Sequence, residues 1–409
     1  MSVYFYIYDI NPEYTNNMSN PEQILRKLLG EIIENKNYKD PKINLQQIST
    51  GGANYTSQLF IVTVSEPGNE DLQLFAKVGI VGEKMRSQMP VLIYDIERYA
   101  YKELLGKYES IQNDHQVPAA ERLRIPKFYG YNPTVYEETI VLENLAAKGF
   151  TTYDRFKSIN WEYASKSVTS MAKFHVLSIV YSEEYPEEYK RVLDMMKFQV
   201  DAFSIFIREG LKKYQNIAIA AASENNKSKL KNYLESKVSL DVIVNFYKPG
   251  RLHILCHGDY RPSNLMHREN KDGTMEVIPV DYQTIHTGTP LTDLIYFIFT
   301  GSDEEFRRRH FWDLLDYYYR ELCNALRSLG RNPRNVYPED EFHHDVKEIL
   351  PLGLVIGIIL LPVITVETED APALDGEIDL DTVLNTKISS SYVERMRGII
   401  NDYARWDII

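Results

Sequence analysis

The spacing of apolar residues divides the chain into a short β-rich front and a long helical back. Between residues 21 and 37, Ile24, Leu28, Leu29, Ile32 and Ile33 recur at helical spacing behind Pro21, which suits a first turn, so a leading amphipathic helix is predicted. Three strands follow, at Ile43 to Ile48, Gln58 to Val64 and Leu72 to Val78. The first two flank a turn from Ser49 to Ser57 that contains Gly51 and Gly52; such a turn lays backbone N–H groups over phosphates or serves as an ordinary hairpin. A helix near Val91 to Tyr108 is next, then two short strands within residues 125 to 148 that end in Val141-Leu142-Glu143-Asn144-Leu145. From Tyr153 to about Lys248 the pattern is helical, and Trp161 to Tyr181 sets Val168, Met171, Ala172, His175, Val176 and Ile179 on one stripe, where His175 reads as a core histidine. The polar residues Ser223 to Lys229 read as a turn or exposed loop. The tail is mostly helical, with an apolar run from Ile349 to Thr365 and a last helix from Ile388 to Trp406.

One stretch interrupts the helices. Residues 252 to 281, LHILCHGDYRPSNLMHRENKDGTMEVIPVD, begin with alternating apolar residues and reach His257-Gly258-Asp259. They place Asn264 shortly after that Asp, turn at Asn270 to Gly273, and return through Val277-Ile278-Pro279-Val280 to Asp281. The layout is that of a hairpin presenting three oxygen-bearing side chains at one end. Asp and Asn also serve turns by local hydrogen bonding, but three of them at this spacing between apolar strands suit chemistry better. Mg²⁺ takes hard oxygen ligands and a hydroxyl nucleophile needs a carboxylate to accept its proton. Asp259 fits the base, and Asn264 and Asp281 fit the metal. After Asp281, Asp293 opens an apolar helix, where an acid caps free N–H groups and braces the loop.

The strand ending Phe75-Ala76-Lys77-Val78 embeds a lysine among apolar residues, which is costly unless an acid meets it. Glu97, on the helix face shared with Tyr94, Tyr101 and Leu104, would supply that acid, and the pair matches the phosphate-holding Lys and helix-borne Glu of kinases. Backbone groups from Glu143 to Leu145, on a single extended strand, would then face an adenine.

Composition narrows the alternatives. At 409 residues, 44% hydrophobic and 25% charged, the chain has an ordinary globular composition with room for two or three core-bearing units. A net charge of −12 argues against nucleic acid, and the one basic cluster, Arg307-Arg308-Arg309, is bracketed by acids and reads as a solvated helix face. Two cysteines, Cys256 and Cys323, make no disulfide framework, and the N-terminus lacks the pattern of a secretory signal, so a reducing, cytoplasmic compartment is expected. The run Ile349 to Thr365, with Pro351 and Pro362 inside its ends, falls short of the roughly 20 residues that span a bilayer and reads as a buried core helix.

Taken together, the segments GGANYTSQ, FAKVG, YDIERYAY, IVLENLAAKGF, CHGDYRPSNLM and VIPVDYQTIHTGTPLTDLIYFIF resemble the ecdysteroid kinase-like family, within the aminoglycoside and choline phosphotransferase branch of the kinase fold. They cover residues 45 to 300 in the family's order, and Asp-x-Gln followed by Gly-x-Pro-x-x-Asp-Leu is the most specific. The family's loop usually has Trp and Asn-Asn where this chain has Tyr260-Arg261-Pro262-Ser263-Asn264. The resemblance implies Asp259 as catalytic base, Asn264 and Asp281 as Mg²⁺ ligands, and Lys77 with Glu97 on the ATP phosphates. It also implies the loop with Gly51, Gly52, Asn54, Tyr55 and Ser57 over the nucleotide. It implies no protein partner. The expected fold is α+β: a two-lobed protein-kinase-like fold, with residues 1–145 as a small β-rich, nucleotide-binding lobe and residues 146–409 as a large, mostly helical lobe. The expected reaction is transfer of the ATP γ-phosphoryl group to a small-molecule alcohol. An ecdysteroid is favoured, with the 22-hydroxyl first, because the family's named members phosphorylate a steroid hydroxyl in insects. The alternatives are another small alcohol (choline, ethanolamine, an aminoglycoside or a xenobiotic) or a catalytically silent binding protein of the same fold. A protein kinase is disfavoured, since the short span from Asp281 to Asp293 leaves no room for a peptide platform.

Overall fold

The computed structural model describes residues 20–36, 38–49, 56–88, 92–248, 250–371 and 380–409. Helix α1 (Pro21–Glu34) starts where the Asn20 side chain accepts the Glu22 N–H at 3.0 Å. It lies on a five-stranded antiparallel sheet of order β1-β2-β3-β5-β4, made of β1 (Lys42–Ile48), β2 (Ser57–Ser65), β3 (Leu72–Gly79), β4 (Phe128–Asn132) and β5 (Thr139–Glu143). Alternation along β3 sends Leu74, Ala76 and Val78 into a core with Leu25, Leu29 and Ile32 of α1. Phe75 and Lys77 therefore point to the opposite face of the sheet, which looks onto the interlobe cleft.

Between β3 and β4 the chain forms α2 (Glu83–Gln88), then α3 (Ile93–Tyr99), a π-helical turn (Ala100–Leu104) and α4 (Leu105–Asp114). The helix predicted to end near Tyr108 thus runs to Asp114, with a one-residue insertion in its middle of the kind found at functional sites.

After β5 the chain passes a 3₁₀ turn (Ala146–Lys148), Gly149 in the left-handed region (φ 83°) and the two-residue strand β6 (Thr151–Thr152). The large lobe is built on α5 (Trp161–Glu184), whose middle is buried on every side. Helices α6 (Pro186–Met195), α7 (Val200–Ala221), α8 (Glu224–Lys237) and α9 (Leu240–Phe246) follow. The predicted loop at Ser223 to Lys229 is the first two turns of α8, since Leu230 and Leu234 bury one stripe of an otherwise polar helix. Next come β7 (Ile254–Cys256), β8 (Leu265–Glu269), β9 (Met275–Pro279), β10 (His286–Gly288) and α10 (Pro290–Gly301). The rest is helical: α11 (Glu304–Ser328), α12 (Pro333–Val336), α13 (Glu339–Ile359), α14 (Leu361–Ile364), α15 (Leu380–Leu384) and α16 (Ser390–Arg405).

The hairpin expected between the two apolar runs of residues 252 to 281 is divided between two sheets. β7 pairs with β10, placing Cys256 opposite His286, whereas β8 pairs with β9, and β6 adds to β8. The polar sequence Met266-His267-Arg268 of β8 is half-buried, so it carries no apolar alternation to announce it.

The run from Ile349 to Thr365 is buried as expected, split between α13 and α14, and no helix among the described residues is long and apolar enough to cross a membrane. The basic cluster is not a uniformly solvated face. Arg309 pairs with Glu305 in solvent, but Arg307 points inward, is 1% exposed and binds Asp402 of α16 at 2.5 Å and the Ser302 carbonyl at 2.7 Å. The amphipathic turn of α11 decides this, because Arg307 falls on the stripe of Phe306, Phe311 and Leu314.

Candidate active site

Lys77 is buried and its ammonium lies between two acids, 2.8 Å from Glu97 Oε1 and 2.6 Å from Asp281 Oδ1. Burial works against its charge, but the carboxylates of Asp281 and Glu97 outweigh it and hold the ammonium protonated well above the ordinary lysine range. The acids divide unequally. Burial, reinforced by the Asp281 charge, pushes Glu97 up against the opposing pull of Lys77; at Asp281 burial also acts upward, but Lys77, Arg261 and His257 overcome it and hold the carboxyl below the usual range. One cation thus ties the sheet, α3 and the segment after β9 together. The π turn contributes as well, because it brings the Tyr101 hydroxyl to accept the Asp281 N–H at 3.2 Å.

Asp281 has φ 68°, a left-handed conformation that costs a non-glycine residue of the order of 1 kcal/mol or more and is kept where the surroundings enforce it. Lys77, Tyr101 and the pairing of β9 do so here. With Oδ1 on Lys77, the second carboxylate oxygen is the one available to a cation.

Asp259 stands on the turn between β7 and the 3₁₀ turn Pro262–Asn264. Gly258, φ 83°, makes that turn possible, since a Cβ there would lie 2.2 Å from the Thr284 carbonyl oxygen and 2.8 Å from His286 Nδ1. The loop is braced from α10: Asp293 Oδ2 accepts the His257 N–H at 2.6 Å and Oδ1 accepts the Gly258 N–H at 2.9 Å. His175 of α5 adds a ring nitrogen 3.0 Å from Asp293 Oδ2, and the Tyr318 hydroxyl takes its other nitrogen at 2.8 Å. The bracing expected of Asp293 is present, but it does not cap its own helix: its carboxylate is spent on the loop. His175 is the satisfied core histidine expected from its stripe and also the second support of that carboxylate.

Three donors hold the Asp259 carboxylate. Tyr296 of α10 donates to Oδ1 at 2.6 Å, Asn264 Nδ2 to Oδ2 at 2.9 Å, and Arg261 Nε lies 3.1 Å away. Because the Asn264 amide nitrogen is fixed on Asp259, its carbonyl oxygen is left for another partner. Burial holds His257 below the usual histidine range, its Nε2 lies on the Val280 carbonyl at 3.1 Å, and Val280 in turn donates its N–H to the backbone carbonyl of Asn264 at 2.9 Å, a bond that does not use the Asn264 side-chain oxygen. Asn264 and Asp281 are thereby brought to one cleft. Among the described residues no group of three or more His, Cys, Asp or Glu side chains could hold a metal alone. An amide oxygen and one carboxylate oxygen suit Mg²⁺, which usually takes one or two protein ligands and completes its octahedron with phosphate oxygens and water.

The cleft between the lobes encloses a cavity of about 520 Å³ lined by Leu59, Phe75, Lys77 and Leu142 above and Asn264 and Asp281 below. Glu143 and Leu145 line it too, where the predicted adenine-facing strand joins the lobes. Leu145 is buried and its carbonyl already accepts the Lys148 and Phe150 N–H groups, while the Glu143 side chain pairs with Lys148. Ser57 is buried at the start of β2. Gly51, Gly52, Asn54 and Tyr55 lie outside the described residues.

Sequence reasoning missed Tyr296, Arg261 and Tyr101 as members of the site. Tyr296 falls three residues after Asp293 on an apolar helix, and only that one-turn spacing hinted that it faces the same loop.

The model of the ecdysteroid kinase-like family matches residues 51–331. A curated relative, the uncharacterized oxidoreductase dhs-27 of Caenorhabditis elegans, is 23% identical over 317 residues, which is 72% of this chain and 36% of that protein. The chain therefore spans about a third of that relative's length. Among solved structures, the GDP complex of aminoglycoside 2'-phosphotransferase-IIIa is similar at a TM-score of 0.41 and 9% identity, covering 93% of this chain and 98% of that one. An aminoglycoside phosphotransferase of Streptomyces rimosus, in complex with ADP and streptomycin, gives 0.35 and 10%, covering 80% and 98%. With its family model matched over more than half its length, on the segment that holds Lys77, Asp259 and Asp281, the chain belongs to the ecdysteroid kinase-like family.

Proposed function

We propose that this protein transfers the γ-phosphoryl group of ATP to a hydroxyl of a small molecule, with an ecdysteroid as the first candidate acceptor and its 22-hydroxyl the first candidate position. The reading rests on one observation: Lys77, paired to Glu97 and Asp281, shares an interlobe cleft with Asn264, whose amide is fixed on the carboxylate of Asp259. Family membership supports the reaction class.

In this reading Lys77 holds nucleotide phosphates, Glu97 holds Lys77, and the backbone from Glu143 to Leu145 receives the adenine. The loop with Gly51, Gly52, Asn54, Tyr55 and Ser57 covers the phosphates. Asn264 and Asp281 would hold Mg²⁺, which when bound neutralises charge on the phosphates. Asp259 accepts the proton of the acceptor hydroxyl. That oxygen bonds to the γ-phosphorus as the bond to the β–γ bridging oxygen breaks, and ADP leaves with the phosphorylated alcohol. Catalysis comes mainly from positioning and electrostatics. Two free, buried cysteines accord with a cytoplasmic site of action.

Incubation with Mg-ATP and a panel of ecdysone, choline, ethanolamine and kanamycin, read by mass spectrometry for an added phosphate, tests this. A phosphorylated steroid bears it out. A product with choline or kanamycin alone removes the steroid assignment, and no product with any alcohol, despite nucleotide binding, removes the activity.

A further inference from the structure

We infer that the acceptor lies on an aromatic wall made by Phe198 and Tyr247, on the large-lobe side of Asp259, and that its hydroxyl takes over the Asp259 oxygen now held by Tyr296. The inference rests on the phosphotransferase reading above and supplies the acceptor site that reading leaves open.

Phe198, in the turn between α6 and α7, stacks on Tyr247 at the end of α9, with ring centroids 4.4 Å apart and planes 7° from parallel. The ring of His286 on β10 closes the group, 4.9 Å from Phe198 and 5.7 Å from Tyr247. His286 connects this wall to the chemistry, because its Nδ1 occupies the position next to Gly258, the residue before Asp259. The turn is fastened there as well, by the Thr287 N–H donating to the Met196 carbonyl at 2.9 Å. Tyr296 of α10 donates to Asp259 Oδ1 at 2.6 Å on the same loop. None of these aromatic residues lines the cavity that holds Lys77, Asn264 and Asp281.

The surroundings select the class of ligand. Eight large apolar side chains stand exposed among the described residues, and Met195, Val200, Ile205 and Val242 are four of them. They belong to α6, α7 and α9, the segments that carry the wall, and α7 packs on α9. Exposed apolar side chains on the segments that carry stacked rings suit an alcohol with a broad apolar face. Replacing the phenol of Tyr296 by an aliphatic hydroxyl at Asp259 Oδ1 exchanges one O–H donor for another, so the carboxylate stays satisfied while the acceptor is placed for transfer.

The test measures KM for acceptor and for Mg-ATP in Phe198→Ala, Tyr247→Leu and Val200→Glu. The last sits on the exposed rim and leaves the fold intact. With ecdysone as acceptor, each variant is expected to raise the acceptor KM about tenfold or more. KM for Mg-ATP and acceptor-independent ATP hydrolysis stay within about twofold. Steroid transfer with acceptor KM unchanged in Val200→Glu and Phe198→Ala overturns the wall and leaves the phosphotransferase reading standing. Transfer to choline or kanamycin alone overturns the apolar acceptor and again spares that reading. Absence of transfer to any alcohol overturns both.

Discussion

The charges around Lys77 and those around Asp259 are held in different ways, although both groups serve one proposed reaction. Lys77 belongs to a buried ion triad that crosses the cleft, with Glu97 on the small-lobe side and Asp281 on the large. Its geometry depends on how the lobes close. Asp259 is held within the large lobe by a phenol, an amide and a guanidinium, on a loop that Asp293 and His175 pin to α10 and α5. The first arrangement joins the two lobes, whereas the second lies within one of them. Changes at the proposed base should therefore strike turnover and spare nucleotide binding, and changes in the triad should do the reverse.

The largest separation is expected from Asp259→Asn, which should lower turnover by about 10²–10⁴-fold while leaving nucleotide affinity within about twofold. Paired rate and calorimetric titrations decide it, and near wild-type transfer would dismiss Asp259 as the base. Removing the brace tests how the loop is held. Asp293→Ala leaves the His257 and Gly258 N–H groups and His175 without their buried carboxylate, at a cost of about 3–5 kcal/mol, visible as a lower Tm. A Tm unchanged within a degree would mean that the loop holds itself.

The same residue gives a pH dependence. Burial acts to raise the Asp293 carboxyl, but the hydrogen bonds from His175 and the Gly258 N–H, with the neighbouring His257, hold it below the usual range. A carboxylate depressed in the native state stabilises above its unfolded pKa of about 4, and that stability is lost as pH falls through the lower native value. Wild type should thus lose part of its stability below about pH 4 that Asp293→Asn does not lose. Parallel pH–denaturation curves for the two proteins would refute this.

In the triad, Asp281→Asn should weaken Mg²⁺-nucleotide binding by at least the roughly 10–100-fold that loss of an outer-shell partner costs a metal site. Titrating Mg²⁺ against nucleotide binding checks this, and an unchanged metal dependence takes Asp281 out of the metal site. The smallest effect is expected from Tyr296→Phe. It removes one of three donors to Asp259 and should lower kcat by no more than about tenfold without raising either KM. A rise in KM for Mg-ATP would place Tyr296 in the nucleotide site instead.

Much of the fold was legible. The leading helix, the first three strands and the last helix follow from periodicity, because each has one face in a core and the other more exposed, and α5 follows from its apolar stripe although its middle is buried on every side. Lys77 and Glu97 were legible as a pair for the same reason, since a lysine inside an apolar strand requires an acid and a helix with the right face follows it. The partition of residues 252 to 281 was not legible. β8 is polar and half-buried, β10 has three residues, and β7 takes β10 as its partner while packing on α5 and α10, contacts that no local periodicity announces. Arg307 was misjudged because a triplet of arginines looks uniform in sequence, whereas the helix turns one of them onto Asp402.

The sequence by itself determined which atoms are on hand: a buried lysine, an acid on the next helix, and Asp, Asn and Asp at fixed intervals between apolar runs. Local periodicity and the cost of burying charge are properties of short segments, so they can be read one segment at a time. Only the tertiary structure decided that Lys77 reaches Asp281 as well as Glu97, that Tyr296 holds Asp259, and that the carboxylate of Asp293 leaves its own helix to brace a loop. Those contacts join residues as much as 204 positions apart, and their geometry is set by how whole lobes pack.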